Sequence, residues 1–296
     1  MIRLALRVRR EQAELVLAEL LELAPAGVEE TDLAGEGVEY AVYGAPGELP
    51  SLPDLHAVVG GALVEISTSE IAEDWQERWK DFHRPVLIAA PASTAGRPAV
   101  PALHVRPPWE EPSALGADVR EIVIDPGQAF GTGGHASTRM CLELLLELAA
   151  AERPGGALLD VGTGSGVLAI AGALLGFEPV LGLDNEPESV QAARENAEVN
   201  GVLIEARRLD LRAQALPWVG EGPDAAGPLV MTANLLRPLL LELAASMPAA
   251  PAHLIAGGLL AHEADEIAGA FSARLGLRER ERRHSGEWAA LWLARG

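Results

Sequence analysis

Cysteine is nearly absent from this 296-residue chain, where Cys141 stands alone. A single thiol forms no internal disulfide and builds no multi-thiolate metal site, so the composition points to a reducing cytosol, and no metal is expected. Aromatic residues make up only 4%, which leaves no obvious exposed patch for self-association and makes a monomer the default. Long apolar runs are missing too. No segment supplies the roughly 18 uninterrupted apolar residues of a membrane span. The first ten residues, MIRLALRVRR, alternate charge with apolar side chains, whereas a signal peptide needs about 7–15 apolar residues in a row. The chain therefore reads as cytoplasmic with no membrane partner. Basic residues are scarce, 23 against 43 acidic ones, for a net charge of −20. Such a chain lacks the positive surface of a phosphate-backbone binder, so DNA is not expected as a direct partner. The negative field suits a basic partner, and it serves plain solubility equally well.

With 49% hydrophobic residues the chain can bury a substantial core, and its length favours two domains. Residues 1–69 read as a small α+β unit. Ile2 to Val8 alternates like a strand; Glu11 to Leu23 spaces Val16, Leu20 and Leu23 as a helix does. Strands at 27–33 and 38–43, a short helix at 52–59 and a strand at 62–67 complete βαββαβ, a ferredoxin-like pattern. Residues 70–119 are expected to connect the domains. They open with a helix whose Trp75, Trp79 and Phe82 share one face, a stripe read as packing between domains, with ligand stacking as the other role. The Pro/Ala-rich stretch 91–101 reads as a loop. From 120 to 296 strands and helices alternate, which implies an α/β fold with a parallel sheet covered on both faces, closed by a hairpin at 277–283 and 288–293.

The chemistry-bearing stretch is Leu158-Leu159-Asp160-Val161-Gly162-Thr163-Gly164-Ser165-Gly166-Val167. An apolar strand runs into three glycines and then a helix, which places a ligand at the carboxyl end of the first parallel strand. A dinucleotide fingerprint has its third glycine one place later, where this chain has Val167. The D-x-G-x-G-x-G spacing resembles the first motif of Rossmann-like methyltransferases that bind S-adenosylmethionine. Asp184 ends the next strand, where a carboxylate accepts both hydrogen bonds of a ribose diol or caps the following helix. Asp210, after the third strand, is placed to reach an adenine edge. Asn234 ends the fourth strand, where its side-chain oxygen can orient an amine, or it can cap the helix before Pro238.

Ahead of the glycine loop lies Asp125-Pro126-Gly127-Gln128-Ala129-Phe130-Gly131-Thr132-Gly133-Gly134-His135-Ala136-Ser137-Thr138. This glycine-rich segment, followed by a helix expected from about Met140 to Ala151, reads as a loop folded over a ligand. Thr138 near the helix start has a hydroxyl for a ligand carboxylate or a cap. His135 is a proton acceptor or a packing and hydrogen-bonding residue, and it has no neighbouring residues of metal-ligand spacing.

These residues together resemble the PrmA family, methyltransferases of large-subunit ribosomal protein eleven. The resemblance spans nearly the whole chain and rests on Asp74-Trp75, Trp79-Lys80, Phe82, Pro108-Trp109, the 125–138 string, LLDVGTGSGVLAI at 158–170, Asp184, Ala233-Asn234 and Gly286-Glu287-Trp288. It implies a Rossmann-like class I methyltransferase domain behind a ferredoxin-like substrate-recognition domain. It also implies transfer of methyl groups from S-adenosylmethionine to lysine ε-amines and an N-terminal α-amine of a basic ribosomal protein. Carried over by motif position, Thr138, Gly162, Asp184 and Asn234 bind the cofactor; Gly164 of the same loop is expected to bind it too, and Asn234, by aligning the amine, is expected to be the catalytic residue. The family commonly has Thr-His-Pro-Thr-Thr where this chain has Gly134-His135-Ala136-Ser137-Thr138, and the 91–101 stretch looks like an insertion. Other readings are a class I methyltransferase for another protein or a small molecule, a nicotinamide-dependent oxidoreductase, and a non-catalytic adenosine-binding module.

Overall fold

A computed structural model describes residues 2–13, 16–17, 20, 28–33, 37–44, 63–70, 83–92, 99–112, 116–126, 131, 133–152, 155–217 and 229–296. Contacts divide the chain into two units, Met1–Phe82 and His83–Gly296.

In the first unit, β1 (Ile2–Arg9), β2 (Glu29–Asp32), β3 (Gly37–Gly44) and β4 (Leu63–Glu70) form one antiparallel sheet in the order β2-β3-β1-β4. That is the strand order of the ferredoxin-like pattern. Alternation puts Leu4, Leu6 and Val8 on one face, buried with Val16, Leu20, Val38 and Tyr40. Arg3 and Arg7 each hold Glu39 at 2.7 Å. These two guanidinium hydrogen bonds keep the Glu39 carboxyl below the usual carboxylate range. Val16 and Leu20 are helical, as their spacing predicts. The helix expected at 52–59 and the aromatic helix carrying Trp75, Trp79 and Phe82 lie outside the described residues.

The second unit is built on a seven-stranded sheet. Its strands are β8 (Leu158–Val161), β9 (Val180–Asp184), β10 (Glu205–Arg208), β11 (Val230–Asn234), β12 (His253–Leu260), β13 (Leu277–Ser285) and β14 (Trp288–Arg295). The order is β10-β9-β8-β11-β12-β14-β13, with five parallel strands and then the antiparallel β14 and β13. The order reverses between β8 and β11, which opens a crevice at the carboxyl ends of those two strands. Helices α1 (Ala136–Ala151) and α2 (Val167–Leu175) bury Leu142, Leu145 and Ile170 on one side of the sheet. On the other side α4 (Arg237–Ser246) and α5 (Ala264–Leu275) bury Leu240, Leu243, Ile267 and Phe271. Between β9 and β10 runs α3 (Pro187–Val199), which buries Val190 and Ala193 against Ala206. The α/β expectation for 120–296 holds strand by strand, and the closing hairpin is antiparallel as expected.

Two features depart from the sequence expectation. Within 70–119 lie β5 (Val86–Ile88) and β6 (Ala102–Arg106), which join β7 (Val119–Val123) in a separate three-stranded sheet. They bury Ile88, Leu103 and Val105 in the same core as α1. Strands this short show no readable alternation, and the parallel β6–β7 pair forms across a chain excursion that local pattern does not report. The second departure is α1, which begins at Ala136, one turn before the expected Met140. Among the described residues, no helix is long and apolar enough to cross a membrane.

Candidate active site

The glycine loop follows β8. Gly162 has φ +73°, and a Cβ there would lie 2.3 Å from Leu235 Cδ2, so only glycine allows Leu235 to close over the turn. The amides of Gly162 and Thr163 both donate to Leu183 O, at 2.8 and 2.9 Å. The Gly164 amide donates to Asp184 Oδ2 at 2.8 Å, and the Glu186 amide donates to Asp184 Oδ1 at 3.1 Å. Asp184 thus ties the tip of β9 to the glycine loop while each of its oxygens keeps accepting capacity. It does not cap α3, whose N-cap is Glu186. Beneath the loop, fully buried Asp160 accepts hydrogen bonds from Thr163 Oγ1 at 2.7 Å and Thr232 Oγ1 at 2.6 Å. Burial outweighs those two hydroxyls and pushes its carboxyl up to about 6.

Asn234 ends β11 in the crevice. Its Nδ2 donates to Thr138 Oγ1 at 3.1 Å, and Thr138 is fully buried in the first turn of α1. Two predicted site residues 96 positions apart in the chain therefore touch. The Asn234 carbonyl oxygen, Oδ1, is buried without a hydrogen-bond partner among the described residues. A Cβ on Gly257 of β12 would stand 2.4 Å from Cys141 Sγ and 3.0 Å from that same oxygen, so this glycine makes the room that Asn234 occupies. Helix capping, one of the sequence alternatives, belongs to neither residue. Leu236 is the N-cap of α4, and His135 is the N-cap of α1.

His135 Nδ1 accepts from the Ser137 amide at 3.3 Å and lies 2.8 Å from Ser137 Oγ. Its ring meets Trp288 edge-on at 4.7 Å, and burial lowers its pKa. Packing and hydrogen bonding, one of its two expected roles, is what the geometry displays, in the form of a helix cap. This cap also explains the earlier start of α1, because a histidine acceptor at an N-cap is not a cue that sequence rules weigh. Asp210 starts a turn after β10, with Oδ1 accepting from the Arg212 amide at 2.9 Å. Residues 127–130 and 132 of the glycine-rich segment lie outside the described residues.

Three residues that the sequence did not single out support these walls. Asn196 and Asn200 of the α3 region bond the backbone of Asp125 and Val123, and Ser165 Oγ donates to Gly131 O at 2.6 Å. The available cue was a polar residue, Asn196, within the buried stripe of Val190, Ala193 and Ala197.

A family model described as ribosomal protein L11 methyltransferase (PrmA) matches residues 54–296. The chain belongs to the PrmA family. It is 38% identical over 224 residues to the "Ribosomal protein L11 methyltransferase" of Heliobacterium modesticaldum, covering 74% of this chain and 63% of that protein. With the protein of the same name from Chloroflexus aurantiacus it shares 38% over 250 residues, covering 77% of this chain and 71% of the relative. The match thus spans about two thirds of the length of these PrmA relatives. A crystal structure of a ribosomal protein L11 methylase from Lactobacillus delbrueckii subsp. bulgaricus superposes with a TM-score of 0.55 at 30% identity, over 65% of this chain and 94% of that one. The Rossmann-like class I methyltransferase fold expected for PrmA is the fold observed. Fold and family together support S-adenosylmethionine as the cofactor. The residues present fit that group: a backbone-lined glycine turn, a carboxylate with spare acceptor capacity at the neighbouring strand tip, and an unpartnered amide oxygen in the crevice.

Proposed function

We propose that this protein transfers methyl groups from S-adenosylmethionine to amino groups of a large-subunit ribosomal protein, namely lysine ε-amines and the N-terminal α-amine. One observation carries the reading: Asn234 is anchored through Nδ2 on Thr138 while its buried Oδ1 has no partner among the described residues. A buried acceptor left unmatched is costly, and an N–H of an incoming amine satisfies it. In this reading Gly162 and Gly164 line the cofactor, Asp184 accepts its ribose hydroxyls, and Thr138 binds it while holding Asn234. When bound, S-adenosylmethionine supplies an electrophilic methyl group on a sulfonium. Asn234 Oδ1 aligns the amine lone pair by accepting one of its N–H bonds. The amine must be neutral for its lone pair to attack, which costs more for a lysine near about 10.4 than for an α-amine near roughly 7.7–8.0. We assign the proton to water, because burial makes His135 a weaker base and its Nδ1 already serves Ser137.

Recognition of the ribosomal protein falls to residues 1–69 and catalysis to the domain at 120–296, into whose core β5 and β6 of the intervening 70–119 are packed. The net charge of −20 suits a basic substrate. A ribosomal substrate places the reaction in the cytoplasm, and the protein acts as a monomer without binding DNA. The test is the intact mass of ribosomal protein eleven after incubation with this protein and S-adenosylmethionine. Mass gains in one-methyl steps that vanish with Asn234→Ala are expected. No gain, with cofactor binding retained in calorimetry, would overturn the ribosomal substrate and leave a class I methyltransferase for another protein or a small molecule.

A further inference from the structure

β7 is the edge strand of its sheet, so from Val123 onward the backbone polar groups that face away from β6 need partners that no strand ladder provides. Side chains provide them. Asn200 pairs with both polar groups of Val123, its Oδ1 accepting from the amide at 2.8 Å and its Nδ2 donating to the carbonyl at 2.7 Å. One helical turn earlier Asn196, only 3% exposed, reaches two different segments. Its Oδ1 accepts from the Asp125 amide at 3.0 Å, and its Nδ2 donates to Ser165 O at 2.9 Å. Ser165 in turn donates its hydroxyl to Gly131 O at 2.6 Å. The glycine loop is thus joined to Asp125 and to Gly131, each link running through a side chain.

A buried asparagine that serves only stability satisfies its own element. Here one bond goes to the cofactor wall and the other to the segment leading into His135 and α1, whose Thr138 anchors Asn234. Both partners are backbone groups of single polarity, so the orientation of the amide is dictated by them. Aspartate has the same shape and lacks the donor, and it would set a carboxylate against the Ser165 carbonyl.

We propose that Asn196 is a positioning residue, whose amide latches the 123–126 segment to the glycine loop and so sets the cofactor wall relative to the Thr138–Asn234 pair. Its effect on turnover rests on the methyl-transfer reading above; the latch itself does not.

The test uses the full chain with Asn196→Asp, and S-adenosylhomocysteine as the binding probe. In the native protein, backbone amide hydrogen exchange is expected to slow on binding at both 161–167 and 123–126. In Asn196→Asp, protection at 161–167 persists while protection at 123–126 is lost. Cofactor affinity changes less than about 3-fold, and turnover falls about 10- to 100-fold because the reacting groups are misplaced. Equal protection of both segments in native protein and variant overturns the latch. So does loss of both segments together with a lowered thermal midpoint, which marks a merely structural role. If Asn196→Asp does not fold, Ser165→Ala, which removes only the bond to Gly131, takes its place with the same pattern expected at Gly131. Native protein that shows the exchange pattern and methylates nothing would sink the methyl-transfer reading and leave the latch standing.

Discussion

The two ends of the seven-stranded sheet differ in how much of their hydrogen bonding falls to side chains. At the amino ends of the parallel strands, backbone meets backbone: Leu158 donates to Pro179 O, Val230 to Ala157 O and Ala252 to Leu229 O, each at 2.9 Å. The side chains there are matched as well. His253 Nε2 lies 2.9 Å from Glu152 Oε2, and Trp292 Nε1 donates to His253 Nδ1 at 3.2 Å. At the carboxyl ends backbone bonds such as Leu209 to Asp184 O at 2.7 Å are joined by side-chain ones through Asp184, Ser165 and Asn196, and the Asn234 oxygen remains without a partner among the described residues. An end that only has to hold together satisfies itself. The end that receives ligands adds side-chain ties to its backbone bonds and keeps hydrogen-bonding capacity in reserve, as expected for the crevice of a doubly wound sheet.

Substitutions at the two ends should therefore separate activity from stability. The largest effect is expected from Asn234→Ala, which removes the aligning oxygen. Turnover measured by intact mass should fall about 100- to 1,000-fold, the range seen when one preorganised polar group at a reacting centre is lost. Unfolding free energy from denaturant titration should change by less than about 1 kcal/mol, because the lost hydrogen bond was offset by an unsatisfied acceptor. A variant that keeps its turnover would remove Asn234 from the site.

Next in size is a pH effect under the glycine loop. The Asp160 carboxyl stands near 6 in the folded chain against 3.8 for the free group. Between those values the native state holds a proton that the unfolded state has released, so stability declines as pH rises from about 4 to about 6. The loss amounts to about 3 kcal/mol and levels off above that range. Asp160→Asn should flatten this slope in unfolding curves taken across the window, and an unchanged slope would assign it to other groups.

A smaller effect is expected for Asp184→Ala, which should weaken S-adenosylmethionine binding in calorimetry by about 10- to 100-fold, the worth of hydrogen bonds to a charged acceptor. Turnover at saturating cofactor should fall less. At the opposite end of the sheet, His253→Ala should cost about 1–2 kcal/mol of stability and leave cofactor affinity and turnover alone. If His253→Ala lowers turnover at full occupancy, the two ends are coupled and the contrast between them fails.

Much of this architecture was legible because it is local. Leu158–Val161 is apolar but for Asp160 and runs straight into Gly162, Val180–Asp184 ends at Asp184, and Val167–Leu175 is bracketed by Gly166 and Gly176, both with positive φ. These cues placed the glycine loop, Asp184 and Asn234 at strand tips. Illegible were features whose partners are distant in the chain. Asn196 and Asn200 look like ordinary polar positions on a helix until Asp125 and Val123, 71 and 77 residues away, are seen to bond them. Strands β5 and β6 are three and five residues long and acquire meaning only beside β7.

The sequence by itself determined the class of the fold and the strand tips at which ligand-binding residues stand, because periodicity and glycine spacing are read within a few residues, and its motifs, above all the 125–138 string, carried the resemblance to the family. Only the tertiary structure decided that Thr138 and Asn234, 96 residues apart, form one pair, that His135 caps a helix, and that Asn196 joins two loops. A hydrogen bond depends on distance in space over about 3 Å, and separation along the chain does not specify it.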